Sequence, residues 1–317
     1  MATADKPVLG ISSCLLGEKV RFDSGHKRDA WLVERFGRYV EFRPLCPEVA
    51  IGLGIPRPPI RLVGEPGAVR AVGVKDGSVD VTEALESYAF DTLTQLQDVS
   101  GYVFKSKSPS CGMERVKLYD AKGTPSNHGV GVYARVVMEA MPHLPVEEEG
   151  RLHDPVLREN FVNRVFVYQR WQQLRRSVLR ASALVAFHAR HKYMVMAHSQ
   201  AAYQRMGRLL SQLKGVDLQQ VADQYEAELM TALKRRVNRA RHVNVLQHMQ
   251  GYLKNAIDAG DKQELAASIE AYRRGEVPFV VPMALLRHHF RRSPDPYIRD
   301  QWYLAPYPED LGLRNAI

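Results

Sequence analysis

Gly101-Tyr102-Val103-Phe104, running into Lys105-Ser106-Lys107-Ser108-Pro109-Ser110-Cys111-Gly112, is the stretch from which the fold can be read. The four apolar residues predict a short buried strand. Serine and proline then end it, because proline cannot donate to a central ladder. Cys111 therefore sits on a tight loop just past a strand end. Open α/β sheets place their ligands outside the carboxyl ends of the strands, so this is a functional position.

The pattern recurs twice. Residues 8–12 (Val-Leu-Gly-Ile-Ser) lead into Ser13-Cys14-Leu15-Leu16-Gly17, and residues 39–42 (Tyr-Val-Glu-Phe) lead into Arg43-Pro44-Leu45-Cys46-Pro47-Glu48. The chain has 3 cysteines, and each follows a candidate strand. If those strands are parallel neighbours, the three thiols converge on one sheet edge. The fold class expected is α/β: a small, open, mostly parallel sheet with flanking helices, followed by an all-α domain.

With 317 residues, 45% of them apolar, the chain can build two cored domains. No run approaches the roughly 18 apolar residues of a membrane span. The N-terminus lacks a signal-peptide apolar segment, and three widely spaced thiols do not make a secreted disulfide framework. A cytoplasmic protein with no membrane partner is expected. Charge is uneven: residues 1–150 hold 18 Lys+Arg against 20 Asp+Glu, whereas residues 151–317 hold 26 against 15. The net values of −2 and +11 point to a neutral domain joined to a basic one, and a basic domain suits a polyanion. The plainer reading is a solvated helical surface.

In chain order, residues 28–36 read as a short helix ended by Gly37. Pro58-Pro59-Ile60-Arg61 reads as extended, with Arg57 or Arg61 as an anion contact. Residues 69–74 and 79–81 read as a hairpin around Lys75-Asp76-Gly77-Ser78. Thr82 is placed to cap a helix reaching about Gln97. Residues 117–123 read as strand and turn, and residues 129–141 as a helix opened by glycine. Residues 141–150, with two prolines and Glu147-Glu148-Glu149, read as a linker. Domains are thus expected at 1–145 and 151–317. The second half reads as almost wholly helical. His188, His191 and His198 share one helix face and are expected to be packing residues rather than metal ligands. Residues 229–250 read as one helix carrying Arg235, Arg236, Arg239 and Arg241, the candidate RNA contacts.

Several chemistries are open to three converging thiols. Structural zinc needs four ligands and usually close cysteine pairs, which are absent here. A disulfide strands one thiol, and a lone nucleophile leaves two unexplained. An iron–sulfur cluster held by three thiolates leaves one iron of a 4Fe–4S core open to a soft donor such as a thiocarbonyl sulfur. Unrelated buried thiols remain the alternative.

Cys14-Leu15-Leu16-Gly17, Arg21-Phe22-Asp23, Cys46-Pro47-Glu48 with Pro56-Arg57-Pro58, and residues 105–112 together resemble the bacterial thiouracil desulfurase family over residues 5–143. The second half, with Phe187-His188, Ala197-His198-Ser199 and Leu286-Arg287-His288-His289-Phe290, resembles a YbgA-type helical companion domain. The pairing is similar to tRNA 4-thiouridine desulfidases. The resemblance implies a 4Fe–4S cluster on Cys14, Cys46 and Cys111 with one open iron, and catalytic roles for Glu48 and Ser108. Asp23 is a further catalytic candidate. Lys105, Lys107 and Arg57 are candidates for holding substrate. One departure stands out: Arg61 occupies a position where the family pattern leads one to expect an acid. The function expected is desulfidation of 4-thiouridine in tRNA. Free thiouracil or thionucleosides are the rival substrates, and a non-catalytic iron–sulfur sensor binding nucleic acid is the rival class.

Overall fold

A computed structural model describes residues 6–316. The chain divides into two compact units, Met1–His153 and Asp154–Ile317. In the first, chain order runs β1 (Val8–Ser12), β2 (Glu41–Leu45), α1 (Pro47–Ala50), β3 (Ile60–Glu65), β4 (Ala68–Gly73), α2 (Thr82–Leu93), β5 (Gly101–Phe104), β6 (Val116–Tyr119), β7 (Pro125–Gly129), α3 (Val132–Ala140) and β8 (Val146–Glu148).

Four of these strands form a parallel sheet in the order β2-β1-β5-β8. The order reverses direction between β1 and β5, which makes that crevice the topological switch point where such sheets bind ligands. The central strands bury Leu9, Ile11, Tyr102, Val103 and Phe104 completely. Gly10 pairs in register with Tyr102, and a Cβ at Gly10 would lie 2.3 Å from the tyrosine ring. Only glycine leaves room for that ring across β1.

A second sheet, ordered β4-β3-β6-β7, is mixed: two hairpins joined by a parallel β3–β6 pair. One of its faces places Leu62, Ala71, Val116 and Leu118 against Val81, Leu85 and Val132. The opposite face does not join that core.

Several local expectations are corrected. The hairpin partner of β4 is β3, so residues 79–81 contribute only an isolated Val72–Asp80 bridge. Thr82 is not the cap but the first helical residue; its hydroxyl accepts from Ala71 N–H at 2.9 Å and donates to Asp80 at 2.6 Å. Residues 31–38 form a wide π-helical turn and a 3-10 turn rather than an α-helix. Residues 125–129 are a strand, with the helix starting only at Val132.

The expected linker is the largest correction. Residues 146–148 form the outer strand of the parallel sheet. The acidic run misleads because each carboxylate has a fixed donor: Glu147 accepts from Arg151 Nε at 2.6 Å, Glu148 from Met113 N–H at 2.9 Å, and Glu149 from Lys105 and Ser106. Paired in this way, acids can be buried.

The second unit consists of α4 (Pro155–Arg176), α5 (Ala181–His198), α6 (Gln200–Leu210), α7 (Leu218–Leu233), α8 (Arg239–Gln250), α9 (Ala259–Arg274), α10 (Val280–Arg292) and α11 (Pro296–Arg299). None of the described helices is long and apolar enough to cross a membrane. Helix α4 buries every residue from Glu159 to Tyr168 and so serves as the core element. Trp171 stacks on Tyr225 and donates its indole N–H to Glu226 at 2.7 Å.

The expected helix over residues 229–250 is two helices. Asn160 Nδ2 donates to Leu233 O at 3.0 Å, His198 Nδ1 donates to Arg235 O, and Asn238 caps α8 through Arg241 N–H at 3.0 Å. Buried side chains from α4 and α5 thus satisfy the end of α7.

The histidines are hydrogen-bonded packing groups. His188 meets Tyr225 OH at 3.2 Å, and His191 Nδ1 donates to Phe187 O at 2.8 Å. Burial pushes His198 and His188 each down to about 4. Both are therefore neutral when folded, whereas the unfolded chain takes up protons below about pH 6.5. Their stabilisation is complete above that pH and is lost as pH falls towards 4. The loss is expected to reach up to about 3 kcal/mol for the fully buried His198. In a Trp31→Phe background, fluorescence of Trp171 and Trp302 follows this unit; a denaturation midpoint flat from pH 7 to 4 would contradict the assignment.

Candidate active site

The carboxyl edge of the parallel sheet gathers the three thiol loops. Cys46 directly follows β2, and Cys14 lies in a 3-10 turn starting just after β1. Cys111 is placed by α3 beneath it. Gly131 N–H donates to Gly112 O at 2.7 Å, Val132 N–H to Pro109 O at 3.1 Å, and Ala134 N–H to Ser110 O at 3.1 Å. N–H groups left without helical partners are thus used on the cysteine loop. A Cβ at Gly131 would stand 2.5 Å from Ser110 O. Gly131→Ala is expected to cost about 1–3 kcal/mol, read as a lowered denaturation midpoint, while displacing the loop.

All three thiols are free, and all line one cavity of about 300 Å³. Among the described residues, no group of three or more His, Cys, Asp or Glu side chains is arranged to hold a single metal ion. Three thiols with no histidine in the wall form a soft donor set, the type that holds iron–sulfur clusters, around a space larger than one ion. Burial pushes Cys14 up to about 11, against the pull of Lys105, and raises Cys46 and, further, Cys111. Binding of a cationic group releases such protons.

Glu48, on the single turn of α1, faces the same cavity. Its Oε2 accepts from Arg57 Nε at 2.9 Å and from the terminal guanidinium nitrogen at 2.7 Å. Its Oε1 accepts from Ser110 Oγ at 2.5 Å, and Ser110 Oγ lies 3.0 Å from Ser108 Oγ. Ser110 has its proton on Glu48, so Ser108 donates to Ser110 and a hydroxyl chain links the carboxylate to the loop tip. Ser108 also accepts from Cys111 N–H at 3.1 Å, which ties this chain to the thiol loop. The Arg57 side chain is 3% exposed, so its charge is spent on Glu48.

Lys105 is similarly engaged. Its ammonium pairs with Glu149 and bonds Ser106 O at 2.9 Å. Burial opposes the Glu149 charge, yet Lys105 and Ser106 hold that carboxyl below the usual carboxylate range. Lys107 is exposed on the cavity wall. Asp23 lies outside the wall: half-exposed, it accepts from Gly25 N–H at 3.1 Å and pairs with Arg21 at 3.4 Å. Arg21 itself lines the cavity.

In the helical unit, Arg235, Arg236 and Arg239 are exposed around the break between α7 and α8. Arg241 is half-buried and donates to His198 O at 2.7 Å. The sequence reading missed Ser110 and Glu149. Ser110 was legible as a neighbour of Cys111, but its 0% exposure and its link to Glu48 were not.

Residues 9–149 match the family model described as 2-thiouracil desulfurase, and residues 192–308 match that of a protein of unknown function, DUF1722. The chain is 32% identical over 154 residues to the uncharacterized protein YbgA of Escherichia coli (strain K12), covering 48% of this chain and 91% of that protein. It is 31% identical over 111 residues to the uncharacterized protein YbbK of Bacillus subtilis (strain 168), covering 32% of this chain and 71% of that protein. Among solved structures, a [4Fe-4S]-dependent thiouracil desulfidase, TudS, is matched at 29% identity over 48% of this chain and 95% of that one, with a TM-score of 0.37. The chain thus belongs to the 2-thiouracil desulfurase family in its N-terminal part and to the YbgA-like DUF1722 family in its C-terminal part.

Proposed function

We propose that the N-terminal unit is a hydrolytic desulfidase converting the C=S of a thiolated uracil to C=O, and that its substrate is 4-thiouridine in tRNA. One observation supports this above others. Three free thiols from three strand-end loops share a cavity with a carboxylate linked through Ser110 to Ser108, in a chain of the 2-thiouracil desulfurase family.

Cys14, Cys46 and Cys111 would hold a 4Fe–4S cluster with one iron lacking a protein ligand, which supplies a soft Lewis acid for the thiocarbonyl sulfur. The remaining chemistry falls to the chain. Glu48 takes a proton from the water that attacks the thiocarbonyl carbon. Ser110 and Ser108 return a proton to the departing sulfur. Arg57 keeps the Glu48 carboxylate aimed through two donors. Water supplies the oxygen, sulfide leaves, and no electrons are exchanged. Arg57 and Lys105 act by holding Glu48 and Glu149, which leaves Lys107 as the solvent-facing member of the three cations considered for substrate.

The helical unit holds the RNA through the exposed arginines between α7 and α8. Replacing Arg235 and Arg236 by Gln is expected to flatten the dependence of log affinity on log salt by about 1–2. An unchanged slope would remove this segment from the contact.

The deciding experiment incubates anaerobically reconstituted protein with tRNA containing 4-thiouridine and follows the long-wavelength thiocarbonyl absorbance. Loss of the band with sulfide release is expected. A persistent band with iron-loaded protein rejects tRNA as substrate, and turnover of free 4-thiouracil or 4-thiouridine would then identify a free thiobase enzyme.

A further inference from the structure

The break between α7 and α8 is also the mouth of a cavity of about 280 Å³ that lies within the helical unit. Val237, Asn238 and Arg239, which follow the exposed Arg235 and Arg236, form its rim. Its inner wall is made by Glu159 and Asn160 of α4, His242 of α8 and the ring of Tyr272 of α9. A packing defect is lined by apolar groups and stays dry. Here a buried acid, an amide, an imidazole and an aromatic ring converge, as they do in ligand pockets.

Glu159 is 8% exposed. Its two contacts, a hydrogen bond from Tyr307 OH at 3.0 Å and a long 3.6 Å approach of Arg314 Nε, both fall on Oε1. Among the described residues, Oε2 has no partner. Asn160 is already engaged, donating to Leu233 O and accepting from Arg164 Nε at 3.1 Å. His242 Nδ1 meets Tyr303 OH at 2.7 Å, and burial holds the imidazole well below its ordinary value, so it is neutral. A small adjoining pocket shares Glu159, Val237 and His242 and is closed by Asn163 and Arg314, whose Oδ1 and Nε have no hydrogen-bond partner. Buried orphans of this kind are few in native proteins and call for an explanation. At the rim, Arg239 rests over the last turn of α9: a Cβ at Gly275 would stand 2.7 Å from its Nη1. The carbonyl end of a helix attracts a guanidinium.

We infer that this cavity receives one unstacked base of the RNA held by the helical unit, and that the base is guanine. Single-stranded RNA is read by splaying bases out, where their edges find hydrogen bonds and aromatic walls. Guanine alone of the four bases carries two adjacent N–H donors on one edge, N1–H and the N2 amino group, and two adjacent acceptors, O6 and N7, on another. The Glu159 carboxylate suits the donors, and Arg239 at the rim suits the acceptors. A phosphate on Arg235 or Arg236 would bring its own nucleoside to the opening. The inference rests on the reading of the helical unit as the RNA holder. It adds that this unit reads a base as well as backbone charge.

The test measures binding of the full-length protein to RNA oligomers of about nine nucleotides, oligouridine with one central guanosine, inosine, adenosine or uridine. The guanosine oligomer is expected to bind about tenfold more tightly than the others, the discrimination of one bidentate contact. Inosine lacks the N2 amino group and should lose most of that preference. Glu159→Gln should bring guanosine down to the inosine level. Val237→Trp, which plugs the opening and leaves Glu159 in place, should erase the preference, and it decides the matter if circular dichroism shows Glu159→Gln to be unfolded. Arg236→Gln should weaken all four oligomers alike and leave the preference standing. Both cavity variants should also weaken binding of tRNA by a similar factor. Equal affinity for the four oligomers, a preference that survives both cavity variants, or tRNA affinity unchanged in both overturns the pocket while leaving RNA binding intact. No binding of any oligomer or of tRNA refutes the RNA reading of the helical unit, and the pocket with it.

Discussion

Replacing Cys111 by alanine is expected to abolish desulfidation and to prevent stable iron loading, with the fold retained. Each thiol comes from a different loop, so none has a near neighbour in sequence to take its place. Nearby groups are poor substitutes, since Ser108 and Ser110 are hard oxygen donors already engaged with Glu48 and the backbone. Folding should survive, because the loop is held by backbone bonds to the start of α3. Truncating the 6% exposed thiol removes little volume, at a cost of about 1–2 kcal/mol. Iron per chain, sulfide release and circular dichroism measured together separate these outcomes. A Cys111→Ala protein that keeps its iron and turns over at the wild-type rate would dismiss the three-thiol site.

Glu48→Gln should behave differently: iron retained, kcat lowered about 10²–10⁴-fold, the usual worth of a general acid–base group. Glutamine preserves the shape of the contacts to Arg57 and Ser110 but cannot take up a proton. Glu48 is two residues from Cys46, one of the proposed cluster ligands, so the iron measurement must accompany the rate. A variant with intact iron, unchanged rate and full RNA affinity would favour the sensor reading instead. Arg57→Met is not equivalent, because it leaves the Glu48 charge facing the cavity unpaired, and breaking such a pair costs about 3–5 kcal/mol.

The thiol-bearing edge of the sheet was legible because each cysteine lies within a few residues of a strand pattern and of a proline or glycine break. What was hidden depends on partners distant in the chain. The three successive glutamates read as a tether until Met113 and Lys105, far upstream, supply donors to Glu148 and Glu149. The basic segment read as one helix because its periodicity is continuous; only Asn160 and His198, far upstream, cap the carbonyls that end α7. Arg57 was read as an anion contact, and the anion it meets is Glu48. Ser110 escaped notice because a serine beside a cysteine carries no periodic signal.

The support for the Cys111 loop also sets an order of assembly during synthesis. The loop rests on Gly131, Val132 and Ala134, and the Lys105–Ser106 step is pinned by Glu149 from beyond β8. A nascent chain that has exposed Cys14, Cys46 and Cys111 but not residues 131–149 has every thiol and no finished cradle. Delivery of the proposed cluster would therefore wait until the ribosome has moved well past the last cysteine. An internal stop after residue 112 would yield a polypeptide with the full donor set that cannot be matured.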